Sequence, residues 1–257
     1  MAPGTRSAVA VVGDEEINRL RIRQPRTDTE RVSPRGLFAQ AKRFYKLGRD
    51  AEDYRNGIVL LKRAASLGLA DAHEWLGAVY DYGLGTRPNR RRALEHYRIA
   101  ADAGNPNAEY HVGVFFHEGI AVQRDYRVAV SWLRKAAKHG DQVAVYWLGQ
   151  CYLHGRGVPR SFRKGFDLEL SAAKRRVVEA QYSVGVCYDR GEGVSADARA
   201  AFKWYLLAAK RGYKDAANNL GYMYETGRGV RMDKRKAAVW YKRAEGEKGT
   251  GEDRKCG

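Results

Sequence analysis

Residues 180–215 read AQYSVGVCYDRGEGVSADARAAFKWYLLAAKRGYKD, and the stretch recurs in phase along most of the chain. Gly77, Gly113, Gly149, Gly185 and Gly221 stand 36 residues apart. Ala72, Ala108, Ala144, Ala180 and Ala216 precede them by five residues. Tyr80, Phe116, Tyr152, Tyr188 and Tyr224 follow by three, and Gly83, Gly119, Gly155, Gly191 and Gly227 by six. The pairs Ala100–Ala101, Ala136–Ala137, Ala172–Ala173 and Ala208–Ala209 keep the same phase. A fixed period of this length marks a stacked-repeat architecture. A weaker copy, with Ala41, Phe44, Leu60, Leu61, Ala64, Ala65 and Gly68, comes first.

Each copy reads as two helices. The first is expected to start near Ala72, with Asp71, Asn107 and Asp215 placed to cap it, while Val143 and Glu179 cap poorly. Leu76, Val79 and Tyr80 give it helical spacing, and Gly83 ends it. Asn89, Asp125, Ser161, Asp197 and Asp233 share one position, all good N-caps for the second helix. That helix stops at Gly104, Gly140 or Gly212. A glycine inside a helix costs about 0.5–1 kcal/mol against alanine, so a repeated one implies close approach of a partner helix. Ala93, Ala129, Gly165, Ala201 and Ala237 are expected at such contacts, with Trp132, Trp204 and Trp240 filling space between copies.

The fold expected is all-α: six 36-residue helical hairpins over 36–71, 72–107, 108–143, 144–179, 180–215 and 216–251. One hairpin cannot bury its apolar face alone, but stacked copies share a core. Residues 1–35, rich in charge and holding Pro3, Pro25 and Pro34, are expected to be a disordered arm, and 252–257 a polar tail. Two copies depart from the pattern. The third full copy has Gly165, Leu168 and Arg176 where its neighbours have Ala, Trp and Gly, so its closing turn, Lys174 to Glu179, is expected to run on without a sharp break. The opening copy carries a polar stretch, Gly48 to Gly57, in place of the G-x-G turn.

The pattern A-x-x-x-[LV]-G-x-x-[YF]-x-x-G-x-G-V, then D-x-x-x-A-x-x-W-[YL]-x-x-A-A-x-x-G, resembles the Sel-one-like repeat family, relatives of tetratricopeptide repeats. The resemblance implies a right-handed α/α superhelical solenoid acting as an adaptor or scaffold. In tetratricopeptide-type solenoids the first helices line the concave surface. Some members of the family carry paired cysteines within each repeat and are credited with penicillin binding or hydrolysis; this chain lacks that pairing.

The formal charge is +17, which bears on partners rather than on fold. No run of 18 apolar residues occurs, and Asp14, Glu15 and Glu16 follow the short apolar Ala8–Val12, unlike a signal peptide. A cytoplasmic location is the expectation. Cys151, Cys187 and Cys256 do not make a disulfide framework. No H-x-x-x-H, C-x-x-C, phosphate-loop or G-x-S-x-G motif occurs, so no cofactor, metal or catalytic residue is assigned. His111, His117 and His154 are the one set of histidines that first helices could bring together, with packed or solvated rings as the plainer reading.

Two surfaces suggest binding. One first-helix position holds Trp75, His111, Trp147, Ser183 and Asn219, varied side chains suited to a groove for a segment of partner chain; the alternative is packing between hairpins. The inter-helix turns of alternate copies are basic: Arg87, Arg90, Arg91 and Arg92; Arg156, Arg160, Arg163 and Lys164; Arg228, Arg231, Lys234, Arg235 and Lys236. Even copies dilute the stripe, since Arg124 and Arg127 flank Asp125 while Glu192 and Asp197 oppose Arg199. Either this is a solvated rim, or it attracts an acidic protein, an anionic membrane surface or nucleic acid. The leading function is a non-catalytic protein–protein adaptor with an acidic or extended partner. RNA binding by helical repeats comes second and a β-lactamase-like hydrolase third. Self-association is a further expectation, because little chain follows Trp240 and Tyr241.

Overall fold

The computed structural model describes residues 33–47 and 51–246. Twelve helices and no strands occupy them: α1 Pro34–Leu47, α2 Ala51–Ser66, α3 Ala70–Tyr82, α4 Arg90–Asp102, α5 Pro106–Glu118, α6 Tyr126–Lys138, α7 Gln142–His154, α8 Phe162–Lys174, α9 Val178–Arg190, α10 Ala198–Ala209, α11 Lys214–Thr226 and α12 Lys234–Glu245. The expected arm lies outside the described residues except at its end, where α1 starts at Pro34 and Ser33 Oγ accepts from Gly36 N–H. The expected tail lies wholly outside them. The described residues form two compact units, one up to residue 125 with α1–α5 and one from residue 126 with α6–α12. Within each unit successive helices pack in chain order.

Second helices start where expected. The side chains of Asn89, Ser161, Asp197 and Asp233 accept from backbone N–H groups in the first turns of α4, α8, α10 and α12. A further bond fixes each entry: the N–H groups of Asn89, Ser161, Asp197 and Asp233 donate to the carbonyls of Tyr80, Tyr152, Tyr188 and Tyr224 at 2.7–2.9 Å. First helices start two residues earlier than expected, at Ala70, Pro106, Gln142, Val178 and Lys214. Asp71 and Asp215 therefore lie inside the first turn, where a carboxylate suits the helix dipole, and are not caps. The capping position is Leu69, Asn105, Asp141, Val177 and Tyr213, of which Asn105 and Asp141 make the bond. The shift arises because a single residue separates the left-handed glycines 68, 104, 140 and 212 from the next helix. In the opening copy most of the polar stretch is helix, since α2 begins at Ala51.

The glycine column has the steric cause inferred from its cost. A Cβ at Gly77, Gly185 or Gly221 would lie 2.5–2.6 Å from the ring of Tyr97, Tyr205 or Tyr241, one copy-mate residue on the facing second helix. At Gly149 the blocking group is the Cγ of Glu169, also at 2.6 Å. Ala93, Ala129, Ala201 and Ala237 are buried beside these crossings, and Trp240, expected to be left uncovered, is buried as well. The second turn glycine joins copy to copy: Cβ atoms at Gly157, Gly193 and Gly229 would overlap the carbonyls of Tyr126, Phe162 and Ala198, each the first residue of the preceding second helix of the same unit.

The closing turn of the third full copy does break sharply, against expectation. Arg176 takes the left-handed conformation, φ 70°, that glycine takes elsewhere, and its N–H donates to the Ala173 carbonyl at 2.9 Å. The Val177 N–H donates back to Ala172, so the turn closes without glycine. A side chain in that region costs about 1–2 kcal/mol, partly offset by lower entropy of the unfolded chain. Arg176→Gly is expected to stabilise the protein by about 0.5–1 kcal/mol, read as a higher urea midpoint. A lower midpoint would show that the arginine side chain contributes more than its backbone costs.

Candidate functional site

In residues 33–125, the indole of Trp75 meets Phe38 and Tyr45 edge-on, with centroids at 5.7 and 5.6 Å. His111 stacks on Tyr97 at 4.4 Å. In residues 126–246, Trp147 lies against Tyr146, Ser183 Oγ accepts from Gln150 Nε2 at 3.1 Å, and Asn219 bonds the hydroxyls of Tyr182 and Tyr205. All five are half-buried. They are held by packing from one side, so they are the inner wall of the first-helix face and not its outermost layer. Further positions on that face escaped the sequence reading: the half-buried Tyr110, Tyr146 and Tyr182 one residue before, and half-buried Gln150 and exposed Tyr222 three after. Tyr222 is 51% exposed. The available signal was tyrosine at one register in three successive copies.

Behind Ser183 lies a buried polar cluster. Glu169 of α8 is 0% exposed. Its Oε1 accepts from Gln150 Nε2 of α7 at 2.5 Å, and its Oε2 accepts from the Cys187 thiol of α9 at 3.8 Å. Ser183 also bonds it. Burial pushes the Glu169 carboxyl up to about 7, against the pull of these donors. The sequence held the clue: the second-helix position that covers the helical glycine is Tyr97, Leu133, Glu169, Tyr205 and Tyr241. Cys187 and Cys151 are free and buried, and burial raises both thiols, the opposite of an activated nucleophile.

The basic turns are exposed but braced. Arg228 donates to the Asp189 carbonyl at 3.0 Å and sits 3.1 Å from its carboxylate, tying the turn after α11 to the end of α9. Arg156 lies over the Tyr126 ring at 5.8 Å, Arg160 over Phe162 at 4.9 Å and Lys164 over Tyr152 at 5.8 Å. Arg163 pairs with Asp167, Lys236 with Asp233 and Arg90 with Asp81. Arg87, Arg91, Arg92, Arg231, Lys234 and Arg235 are likewise exposed. Exposed pairs of this kind add little to stability, about 0–1 kcal/mol each.

His73, His96, His111 and His117 are buried or half-buried. His117 is buried with Nδ1 2.6 Å from Glu118, and His154 is exposed. Among the described residues no group of three or more His, Cys, Asp or Glu is placed to hold a metal. His73 Nδ1 lies 3.0 Å from His96 Nδ1, and His73 also bonds the Ala65 carbonyl. The contact needs one of the two facing nitrogens to be unprotonated, so it cannot hold with both rings charged. Burial holds His73, His96 and His111 below the ordinary value, the last two at about 4, with the charges of His73, Lys62 and Arg92 adding to the effect on His96. A base depressed in the folded state lends stability above pH 6.5 that is lost as pH falls through about 4. Relative to His96→Gln, the wild type is expected to lose stability from pH 6.5 to 4, measured by urea titration. Parallel curves would show that the imidazole carries no such penalty.

A family model described as Sel1 repeat matches residues 39–69, 70–105, 106–141, 142–175, 178–213 and 214–245. The chain belongs to the Sel1 repeat family. Five of its matched segments begin at the observed first-helix starts 70, 106, 142, 178 and 214. Proteins of Sel1 repeats are in general protein-interaction scaffolds and not catalysts. Among solved structures, a protective antigen of uropathogenic Escherichia coli with this solenoid fold is 26% identical over 90% of this chain, TM-score 0.75. The chain spans about half of that protein, 48%. A Sel1 repeat protein of Oxalobacter formigenes is 27% identical, covering 80% of this chain and 82% of its own, TM-score 0.71. An immunity protein of Pseudomonas aeruginosa, 21% identical over 81% of this chain and 82% of its own, TM-score 0.56, shares the fold. No curated protein matches the chain. No helix among the described residues is long and apolar enough to cross a membrane.

Proposed function

We propose that this chain is a non-catalytic scaffold that holds a segment of another protein against the first-helix face. The supporting observation is a contrast between columns. Positions that build the core repeat faithfully, as in Ala72, Ala108, Ala144, Ala180 and Ala216, all fully buried. Two columns on the half-exposed face vary along the chain: Trp75, His111, Trp147, Ser183, Asn219, and beside them Ala78, Val114, Gln150, Val186, Tyr222, although tyrosine recurs next to them at Tyr110, Tyr146 and Tyr182. Folding explains the constant columns; a partner with its own sequence of side chains explains the varied ones. Tyrosine and tryptophan supply large contact area with few rotatable bonds. The +17 charge favours an acidic partner by long-range attraction.

Trp75→Ala would remove the packing on Phe38 and Tyr45, so exposed residues make the cleaner test. Partner capture from the source cells, with the full chain and its Asn218→Ala/Tyr222→Ala variant, is expected to lose at least one partner about tenfold. Identical recovery of every captured protein by both forms, and by a Tyr146→Ala variant, would remove the face from consideration.

A further inference from the structure

The second helices of residues 126–246 carry arginine at one register in every copy. The second helical residue is Arg127 in α6, Arg163 in α8, Arg199 in α10 and Arg235 in α12. All four are exposed. The helix dipole does not account for the choice, although Arg163 also donates to Asp167 at 3.1 Å. A cation in the first turn opposes the helix dipole and costs about 0.3–1 kcal/mol at low salt. Two first helices of the same unit follow the rule, with Glu179 and Asp215 in the first turns of α9 and α11, while α7 has no acidic residue there. The second helices α6, α8, α10 and α12 have no acidic residue there at all. Pairing with the cap does not account for it either, because arginine persists whether the cap is Asp197 and Asp233 or the neutral Ser161. Those cap side chains bond backbone N–H groups, and Asp233 also pairs with Lys236, not with Arg235.

The neighbouring turns close up against this row. Gly157 abuts the start of α6 at Tyr126 and Arg127, and Gly229 abuts the start of α10 at Ala198 and Arg199. Arg199 and Arg231 flank an open pocket of about 460 Å³ over Gly227 and Gly229. Gly157, Gly193 and Gly229 thus link the starts of α6, α8 and α10 to the turns that follow along one edge of this unit. Aromatic rings stand in the row itself: Tyr126 and Phe162 are the residues just before Arg127 and Arg163, Phe162 is 38% exposed, and Arg156 and Arg160 lie over their faces. A chain of carboxylates would gain only from the charge. Bases gain as well from ring faces and from guanidinium planes, on which they stack.

We propose that the arginine row Arg127, Arg163, Arg199 and Arg235, with the basic turns beside it, binds single-stranded nucleic acid. The row supplies one phosphate contact per copy, and Tyr126, Phe162 and the turn arginines supply stacking. This edge is separate from the first-helix face, so either activity can fail without the other.

The test is fluorescence anisotropy of the full chain with a labelled 20-nucleotide oligouridine across a salt series. Each phosphate contact contributes about 0.7 to the slope of log affinity against log salt. Changing all four arginines to glutamine is expected to flatten the slope by about 2.8 and weaken binding more than about 100-fold at 0.1 M salt. The variant keeps its fold, because glutamine at that position relieves the dipole; its melting temperature is expected to hold or rise. A control with Lys138, Lys174, Lys210 and Lys242 changed to glutamine removes the same charge near the other ends of these helices and is expected to keep most of the slope. Three results would overturn the proposal: no binding at low salt, equal losses in the two variants, or displacement by oligoglutamate at equal charge concentration.

Discussion

Glu169→Gln is expected to stabilise residues 126–246 by about 3 kcal/mol at pH 8 and by less than about 1 kcal/mol at pH 5. The carboxyl is 0% exposed and titrates at about 7 in the fold, against an ordinary value of 4.5. An acid raised in the folded state lends its stability below the ordinary value and loses it as pH climbs through the folded one. At pH 5 the folded form keeps the proton at little cost. At pH 8 the unfolded carboxylate is solvated and the folded one is not, and a gap of this size costs about 1.4 kcal/mol per pH unit. Glutamine fills the same space, still accepts from Gln150 and never ionises. Urea denaturation of both forms at pH 5 and pH 8, followed by far-UV circular dichroism, gives the four free energies needed. A gain as large at pH 5 as at pH 8 would assign the effect to packing instead of charge.

The same residue shows what the sequence discloses and what it withholds. The 36-residue period was readable because hairpin stacking demands small or apolar side chains at fixed register, and that demand repeats with each copy. The caps of the second helices were readable for a similar reason: Asn89, Ser161, Asp197 and Asp233 sit at one position with one local task. The starts of the first helices were misjudged by two residues. There the decisive feature is the left-handed glycine behind them, while Leu69, Val177 and Tyr213 occupy the cap position without a side-chain bond. Arg176 defeated a rule based on residue type, since the turn imposes its backbone on a residue that resists it. The polar cluster depends on three helices meeting, α7 through Gln150, α8 through Glu169 and α9 through Cys187. No local pattern announces it. Only the oddness of glutamate in a column that elsewhere holds tyrosine or leucine pointed there. For the face residues, the sequence located Ser183 and Asn219 on the first helices but not their anchoring to Gln150 and to Tyr205, which makes them fixed features of a wall.

Gly185→Val is expected to cost about 3 kcal/mol or more, a large part of the 5–15 kcal/mol that holds a typical domain together. Two effects oppose each other when a side chain enters this column. Ordinary helix energetics favours replacing glycine, by up to about 1 kcal/mol for alanine. Packing forbids it, because the first added carbon falls 2.6 Å from two ring atoms of Tyr205. That ring cannot swing away: it is 2% exposed and packs against Tyr182 with centroids 5.7 Å apart. Overpacking of a filled core costs about 1–3 kcal/mol for a methyl or two, and valine adds a branched carbon that helices also disfavour. Shortening the opposing side chain separates the two effects. Tyr205→Ala alone leaves a cavity and costs about 3–5 kcal/mol, yet in that background Gly185→Val has room and partly refills the space. The pair is therefore less destabilising than the sum of the singles, by about 1–3 kcal/mol in a double-mutant cycle. Additive losses would mean that the glycine is required by the backbone and not by its neighbour, and the reason given for its recurrence every 36 residues would fail.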